Sequence, residues 1–558
     1  MKNFNSLYKA TALGVAMVFG ASVLMMNGCK NPAQDIKVAI ATKTLSKSGT
    51  LIEFVKANPT GAALPATISV TIGGPGKDLV QTDNGGKDFV ASNGLLPVSL
   101  TRFATPSAAS PIVFTISASV AGYSPVFQKI SITSDADLKN IVIPLVSLTN
   151  PPDGAAVSQT DKPLTGGISV AETKIETAAT AVTPQSVELS IPAGTQVLDA
   201  NKQAIASTSL KTTMVYYGTT DKDALDAAAP FLVAVNPIGP NNQTITGPVS
   251  FVTAGAVSIN MTAGTTEVKN FSKPISAEIE INPNFINPTT NAKIKAGDVV
   301  PVWSLNEGTG QWTYETTTTV ANVGGKLVAV VSISHLSTWA LNFFPTTACP
   351  FTVTVNLGSD ISNYFGYVVT YEYEGQTLST FTPNLGTFAP AGTKTVTIAN
   401  PIPFSLKGKL VVYANLTAGL TKVAESPQLS NCSNFTLNLD APVFTDLVDT
   451  EISFVAKCTN KNIIAYPTTW MSINDVTNGV STNVHMVDGK VNVKLMNGVT
   501  YSMSAVYDEK TYTSEAIKIS KTQGVNVKNA AGLTIIGTYN AGTQKLPLEA
   551  EFVVTDCK

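Results

Sequence analysis

Cysteine is the residue type whose spacing says most about chemistry in this sequence. Cys349, Cys432, Cys458 and Cys557 all lie in the C-terminal part, and none forms a Cys-x-x-Cys pair. This spacing is untypical of zinc sites and thioredoxin-like redox motifs, and it favours disulfides formed in an oxidising compartment. Of the three possible pairings we expect Cys349 with Cys432 and Cys458 with Cys557, because each pair brackets one candidate domain. Unpaired buried cysteines are the alternative.

Histidine could supply a general base for nucleophilic catalysis, but the chain has only His335 and His485. Each lies within an alternating run, where a structural histidine is the simpler interpretation. The sequence contains no Gly-x-Ser-x-Gly elbow, His-Glu-x-x-His pair, phosphate-binding Gly-x-x-x-x-Gly-Lys-Ser/Thr loop or Gly-x-Gly-x-x-Gly turn. We therefore expect no catalytic residues, no bound metal, no cofactor and no enzymatic activity.

Two groups of acidic residues could serve glycoside hydrolysis or calcium binding. Glu372 and Glu374 share a strand face and could serve a glycoside hydrolase, which needs two carboxylates; we predict instead that they form the solvated side of that strand. Asp221, Asp223 and Asp226 could bind calcium, but the run lacks the glycine and the distal glutamate of an EF-hand loop. Acids that complement the dipole at a helix N-terminus are the favoured interpretation.

An aromatic row is the best candidate for ligand binding. Tyr367, Tyr371 and Tyr373 alternate with Val369 on one face of a predicted strand, and such a row of rings can stack on sugars. The alternative, which we favour, is that this face belongs to the core of a sandwich domain.

The elements that position these residues are predicted to be strands. Only 13% of the 558 residues are charged and 44% are hydrophobic, and Thr, Ser, Asn and Gly supply much of the remainder. This composition favours strands and tight turns, and the length exceeds what one core can hold. The net charge of −2 provides no basic field for nucleic acid. We predict an all-β protein of tandem β-sandwich domains of immunoglobulin-like or fibronectin-like type.

Alternating apolar residues between turn signals define four predicted domains. The pattern is clear at Ile68, Val70 and Ile72 in the first domain and at Val187 and Leu189 in the second. The full division is a leader at 1–28, a linker at 29–35, a β-sandwich at 36–148, a linker at 149–164, a larger β domain at 165–344, and β-sandwiches at 345–442 and 443–558.

Two local predictions concern single elements. Thr220 could cap a short helix, with Asp223 three positions later and Pro230 ending it. Asp488 and Gly489 predict a type I′ turn that joins two alternating runs in a hairpin.

Cys29 follows a pattern of its own. Two early lysines, an apolar run over residues 12–26 and the small residue Gly28 precede it. This segment resembles a bacterial lipoprotein signal peptide of the Bacteroidetes type. The resemblance implies cleavage before Cys29, lipidation of that cysteine with palmitate among the acyl groups, and attachment to the outer membrane, on a face that the sequence leaves open.

Short motifs between residues 191 and 340 carry a second resemblance. They are Ile191-Pro-Ala-Gly-Thr, Val300-Pro-Val-Trp-Ser-Leu, Gly310-Gln-Trp and His335-Leu-Ser-Thr-Trp-Ala. Together they resemble the extracellular, ZU5-like β domain of cartilage intermediate layer and FAM171-type proteins. In that family the domain is a structural or interaction module, which implies core positions for Trp303, Trp312 and Trp339 rather than ligand stacking.

The flanking domains resemble carboxypeptidase-regulatory-like and immunoglobulin-like modules, through Ala121-Gly-Tyr and through the segment from Asp488-Gly to Tyr501. The resulting expectation is a rod of sandwiches tethered to the membrane by the lipid on Cys29. Its function would be structural or adhesive binding, with a glycan or another envelope protein as partner. The alternatives are a glycan-binding lipoprotein of a polysaccharide uptake system and a glycoside hydrolase of β architecture.

Overall fold

The structure, a computed structural model, describes residues 38–219, 221–344, 351–357, 361–362, 367–373, 376–381, 388–389, 392–398, 407–417, 419–430, 433–439, 446–507, 509–529 and 532–554. Strands dominate these residues, so the predicted all-β class is confirmed. We divide them into a first unit (46–145), a second unit (155–343), a third unit (351–439) and a fourth unit (447–554). The boundaries of the predicted domains stay a prediction.

The first unit is a sandwich of a six-stranded and a three-stranded sheet. Strand order is β10-β2-β7-β6-β3 with β5 beside β7 in one sheet, and β4-β8-β9 in the other. Buried side chains such as Phe54 and Phe114 fill the space between them. The strands, with the preceding β1, are β1 (Val38–Ala41), β2 (Ser46–Lys56), β3 (Thr67–Ser69), β4 (Thr71–Gly73), β5 (Val80–Thr82), β6 (Val90–Ser92), β7 (Leu95–Thr101), β8 (Ile112–Ala118), β9 (Val126–Ile132) and β10 (Lys139–Leu145).

The second unit packs two seven-stranded sheets face to face. One has the order β11-β16-β19-β28-β24-β25 with β20 beside β19, and the other β12-β15-β21-β14-β13 with β27 beside β21 and β26 beside β27. Its strands are β11 (Ala155–Pro163), β12 (Ile168–Ser169), β13 (Thr173–Glu176), β14 (Val187–Ile191), β15 (Thr195–Leu198), β16 (Ser209–Tyr217), β17 (Val233–Val235), β18 (Pro248–Ser250), β19 (Val252–Ala263), β20 (Thr266–Glu267), β21 (Asn270–Ile281), β22 (Ile286–Asn287), β23 (Ala292–Lys293), β24 (Val299–Asn306), β25 (Gln311–Thr319), β26 (Ala321–Val323), β27 (Lys326–His335) and β28 (Thr338–Phe343).

Alternation along the strands explains why these sheets form. In β14 the side chains of Val187, Leu189 and Ile191 are fully buried, whereas Glu188 and Ser190 between them are half-buried. Because successive side chains of a strand point to opposite faces, this sequence buries one face and leaves the other toward water. The period-2 prediction is confirmed for this strand and for Ile68 and Val70, which are also buried.

The third unit contains a three-stranded sheet, β34-β29-β38, and a five-stranded sheet, β32-β31-β35-β36 with β37 beside β35. Strands β30 and β33 pair separately. The strands are β29 (Phe351–Leu357), β30 (Ile361–Ser362), β31 (Tyr367–Tyr373), β32 (Gln376–Phe381), β33 (Phe388–Ala389), β34 (Gly392–Ile398), β35 (Lys407–Thr417), β36 (Gly419–Glu425), β37 (Leu429–Ser430) and β38 (Phe435–Leu439).

The fourth unit is a sandwich that includes a strand from the N-terminal end of the described chain. One sheet has the order β1-β40-β39-β49-β48-β47 with β43 beside β39, and the other β42-β41-β44-β45 with β46 beside β44. Its own strands are β39 (Leu447–Cys458), β40 (Ile463–Tyr466), β41 (Thr469–Asp475), β42 (Val480–Met486), β43 (Lys490–Met496), β44 (Thr500–Tyr507), β45 (Lys510–Thr513), β46 (Ile517–Lys518), β47 (Val525–Lys528), β48 (Leu533–Gly537) and β49 (Lys545–Val554).

The pairing of β1 corrects the expectation of a simple rod. Val38 to Ala41 run parallel to Ile463 to Tyr466, so the first described strand belongs to the last sheet of the chain. The first and fourth units are consequently in contact. In a rod of successive domains these two units would lie farthest apart.

The helix also differs from its prediction. It spans Lys222–Leu232, which we call α1, and Asp221 caps it by accepting a hydrogen bond from the Asp223 N–H at 2.8 Å. Pro230 lies inside the helix rather than ending it. An interior proline has no backbone N–H, so α1 lacks the hydrogen bond from position 230 to the carbonyl of Asp226. Thr220, the predicted cap, lies outside the described residues.

The predicted hairpin around Asp488 is half right. Both Asp488 and Gly489 have positive φ, at 47° and 72°, as a type I′ turn requires. Val487 and Lys490 exchange backbone hydrogen bonds across the turn. Beyond it the strands separate, because β42 pairs with β41 in one sheet and β43 pairs with β39 in the other.

Three short 3-10 turns complete the described elements. They are Thr42–Thr44, Lys77–Leu79 and Pro240–Asn242. None of the helices in the described residues is long and apolar enough to cross a bilayer.

Candidate functional site

The aromatic row lies in the core and not on a binding surface. Tyr371 is fully buried and Tyr373 is 4% exposed. The Tyr371 ring meets Phe435 edge-on at 6.0 Å, its hydroxyl accepts a hydrogen bond from the Gly408 N–H, and burial raises its pKa to about 12. Tyr371 and Tyr373 therefore occupy core positions, in line with the favoured interpretation of this face, and neither ring is exposed to a ligand. The side chain of Tyr367 lies outside the described residues.

Glu372 corrects the expectation of a solvated strand face. It is 8% exposed, and its carboxylate accepts hydrogen bonds from Thr370 at 2.9 Å and from Tyr413 at 2.6 Å. Burial, together with the hydrogen bond and charge of Glu372, raises the pKa of Tyr413. Helix α1 contacts β32, so this sheet of the third unit is packed against the second unit. Glu374 lies outside the described residues.

The three tryptophans of the second unit are core residues, as expected. Trp303 is fully buried, and Trp312 and Trp339 are each 2% exposed. The Trp303 ring lies 4.9 Å from Phe251 and 5.0 Å from Phe344. Trp339 donates a hydrogen bond to the backbone oxygen of His335 at 3.3 Å and contacts its ring, which gives that histidine a structural setting.

The acidic residues at the start of α1 stabilise the helix itself. Asp221 is the cap, and Asp226 pairs with Lys222 one turn earlier. Partial burial, together with repulsion from Asp221 and Asp226, raises the pKa of Asp223. Among the described residues no cluster of three metal-ligating side chains is found.

The predicted lipid and disulfide sites are mostly outside the described residues. Cys29, Cys349, Cys432 and Cys557 all lie there, so their roles stay predictions. Cys458 ends β39, and its Cα is paired with that of Val554 in β49. This parallel register places Cys458 opposite a residue only three positions before Cys557.

The arrangement that stands out is the contact between the first and fourth units, which we call the joint. It begins with the backbone ladder between β1 and β40. The 3-10 turn that follows β1 continues it, because Thr42 accepts a hydrogen bond from the Thr468 N–H at 2.6 Å, and the Lys43 N–H donates to Asp488 at 3.0 Å.

Side chains extend the joint across the sheets of both units. Asn483 donates to the Glu53 carboxylate at 3.0 Å, and Thr511 donates to the Ser92 hydroxyl at 2.9 Å. Burial raises the pKa of Glu53. The His485 ring lies against Gly49, where an added Cβ would be 2.6 Å from Nε2. Any side chain at Gly49 would therefore push this histidine away.

Two half-buried titratable groups, Asp83 and His485, lie in the joint. The Asp83 carboxyl faces Thr469 and the backbone N–H of Trp470, and burial raises its pKa to about 6. His485 packs edge-on against Trp470 at 5.3 Å, and burial lowers its pKa to about 4. Asp83 Oδ2 and His485 Nδ1 have no hydrogen-bond partner among the described residues.

The joint has the chemistry of a structural contact. Its hydrogen bonds are spread along two sheets, whereas catalysis requires a nucleophile and base that converge on one point. No sequence pattern indicates the joint. The run Val38-Ala-Ile-Ala is typical of a strand, but no local pattern indicates which edge more than 400 residues away it joins.

Comparison with known proteins gives no family for this chain. Neither a protein-family model nor a curated protein matches it. Among solved structures, the major pilin subunit BcpA of Bacillus cereus aligns over 91% of this chain and 99% of its own, at 8% identity and a TM-score of 0.13. The pilus adhesin SpaC of Lactobacillus rhamnosus GG aligns over 91% of this chain and 57% of its own, at 10% identity and a TM-score of 0.14. These values are too low to support an argument about function.

Proposed function

We propose that this chain is a lipid-anchored structural or adhesive binding protein of the bacterial cell envelope, attached to the outer membrane through Cys29, and that it acts without catalysis. The segment before Cys29 supports the anchor through its resemblance to lipoprotein signals. The second unit would be the interaction module that its tryptophan motifs resemble.

The observation that carries the proposal is the position of β1. Val38 is nine residues after Cys29, and β1 is hydrogen-bonded to β40 of the fourth unit. A force applied at the anchor therefore acts on the fold where the first and fourth units are joined. In a linear array of flexibly linked domains it would act on one terminal domain. This arrangement suits a protein that must keep its shape under load at a surface.

Metabolic labelling with an alkyne analogue of palmitate in a Gram-negative host tests the anchor. The wild-type chain should incorporate the label, lose residues 1–28 and fractionate with the outer membrane. Cys29→Ser should remain unlabelled and unprocessed, whereas Cys458→Ser, a matched control, should remain labelled. Equal labelling of wild type and Cys29→Ser would reject the anchor.

Binding without turnover needs a separate test. The intact protein is applied to a glycan array and to cross-linking with envelope extracts, and each glycan that binds is incubated with it and analysed for cleavage. Saturable binding with every glycan recovered intact is the expected result. Cleavage that disappears when one acidic residue is replaced would establish the hydrolase alternative instead.

A further inference from the structure

The turn at the end of the β2 and β7 ladder is built to hold its shape. Ser46 pairs with Thr101 at this end, and the Ala104 N–H donates back to the Thr101 oxygen at 3.0 Å. Lys47 reaches across from β2 and donates to the Ala104 oxygen at 2.8 Å. We call residues 101–104 together with Leu45, which precedes β2, the tip.

The tip presents an apolar ring to water. Phe103 is 74% exposed, the highest value for any large hydrophobic side chain of the described residues, and Leu45 at the same end is 45% exposed. Residues at turn tips are usually small or polar, because apolar surface in water is unfavourable. Phe103 and Leu45 together leave an apolar patch at this end of the first unit, and apolar patches rimmed by polar residues are typical of protein and membrane contact sites.

A cation accompanies the ring. The Arg102 guanidinium carbon lies 4.7 Å from the centre of the Phe103 ring, and Arg102 is the only arginine in the entire sequence. Lys47 is already paired with Asp135 at 2.8 Å, whereas no ion pair to Arg102 is found among the described residues. Guanidinium groups bind phosphate oxygens through two donors at once, and the apolar side chains of membrane-surface segments, phenylalanine and leucine among them, lie at the boundary between headgroups and acyl chains.

The chain path places a membrane within reach. The nine peptide units from Cys29 to Val38 span at most about 30 Å when extended. Strand β1 and the single turn Thr42–Thr44 then lead directly to Leu45 and the tip. Leu45 therefore follows the predicted acyl anchor by only 16 positions, and the pairing of Ser46 with Thr101 brings residues 101–104 beside it.

We propose that the tip contacts the headgroup region of the membrane that holds the lipid on Cys29, with Phe103 at the acyl boundary and Arg102 on lipid phosphates. This inference rests on the anchoring in the proposed function. It adds a second attachment point, which fixes the orientation of the first unit on the bilayer.

The test uses the acylated full-length protein carrying Phe103→Trp in vesicles of phosphatidylethanolamine and phosphatidylglycerol with brominated acyl chains, which quench nearby indole fluorescence. The matched control is Val170→Trp in the second unit, where the side chain is 67% exposed. After subtraction of the wild-type signal, the emission added by Phe103→Trp should fall by about half, and that of Val170→Trp should stay unchanged. Adding Arg102→Glu should abolish the quenching, and Arg102→Lys should preserve part of it.

The outcomes separate this inference from the anchor. An acyl group found by mass spectrometry, with no quenching at position 103, would overturn the tip contact and leave the anchor standing. Absence of the acyl group would overturn both. Equal quenching at positions 103 and 170 would show that the protein lies on the bilayer without using the tip, as would quenching that is insensitive to Arg102→Glu. Equal thermal unfolding midpoints for the variants establish that each has folded.

Discussion

Glu53 of the first unit accepts a hydrogen bond from Asn483 of the fourth unit at 3.0 Å, across 430 residues of sequence. The same carboxylate oxygen accepts a second bond from Asn140 at 3.3 Å. Burial raises the pKa of Glu53, so these amide donors matter for keeping a charged group in the joint. The Glu53–Asn483 hydrogen bond forms only when the first and fourth units are in contact, so its loss tests the joint.

Asn483→Ala should weaken the joint, because the buried carboxylate loses its donor from the fourth unit. We expect the free energy of unfolding to fall by about 1–2 kcal/mol. Urea unfolding of the intact protein measures this change, with Asn526→Ala on the exposed side of β47 as the matched control. An equal effect of the two substitutions would contradict a specific role for Asn483.

Asp83→Asn should stabilise the protein at neutral pH. Burial raises the pKa of Asp83 to about 6, above its ordinary 3.8, so the folded state holds a proton more tightly than the unfolded state. The stability contributed by the protonated carboxyl is present below pH 3.8 and is lost as the pH rises to about 6. Asparagine does not ionise, so the variant keeps this stability at neutral pH. The difference in the free energy of unfolding between variant and wild type should therefore shrink on acidification. A gain independent of pH between 7 and 4, in urea unfolding, would contradict the assignment.

His485→Gln should show the opposite pH dependence. Burial lowers the pKa of His485 from 6.5 to about 4, so the folded state disfavours the protonated ring. The wild-type protein therefore loses stability as the pH falls from 6.5 to about 4, whereas the glutamine variant does not. Relative to wild type, the variant should become more stable between pH 6.5 and 4. Unfolding curves at both pH values measure this, with His335→Gln, a histidine of the second unit, as control.

Gly489→Ala should destabilise the fourth unit more than Gly498→Ala. Both glycines have positive φ, at 72° and 83°, so alanine is strained at each. A Cβ at Gly489 would also lie 2.2 Å from the Phe454 oxygen, whereas nothing lies within 4 Å at Gly498. We expect losses of about 3 and about 1 kcal/mol. Similar losses in thermal or urea unfolding would show that the close approach is relieved by small movements.

Non-reducing peptide mapping should find Cys458 linked to Cys557. The register sets Cys458 opposite Val554, and Cys557 follows Val554 by three positions in the sequence. The bridge would close a loop of nearly 100 residues and contribute about 4 kcal/mol in the chain-entropy model. Recovery of Cys458 linked to Cys349 or Cys432, or as a free thiol, would contradict the pairing.

Much of the fold could be predicted from the sequence because strand patterns are local. The alternation at Val187, Leu189 and Ile191 predicts a strand with one buried face, and the structure buries all three. Asp488 and Gly489 likewise predict their turn, since positive φ is a property of those residues themselves. In both cases the physical cause lies within a few residues of the pattern.

The tertiary structure decided which strands pair at the sheet edges and which strand faces are buried. β1 joins a sheet built from residues after 446, β42 and β43 leave one turn for different sheets, and β31 buries both Tyr371 and Glu372. An alternating sequence predicts only that one face of the strand is buried. It does not indicate whether the other face is also covered by a neighbouring unit. The sequence by itself therefore determined the strands, their turns and the class of fold. Pairing of distant edges and burial of the second face depended on hydrogen bonds and contacts that exist only once the units are assembled.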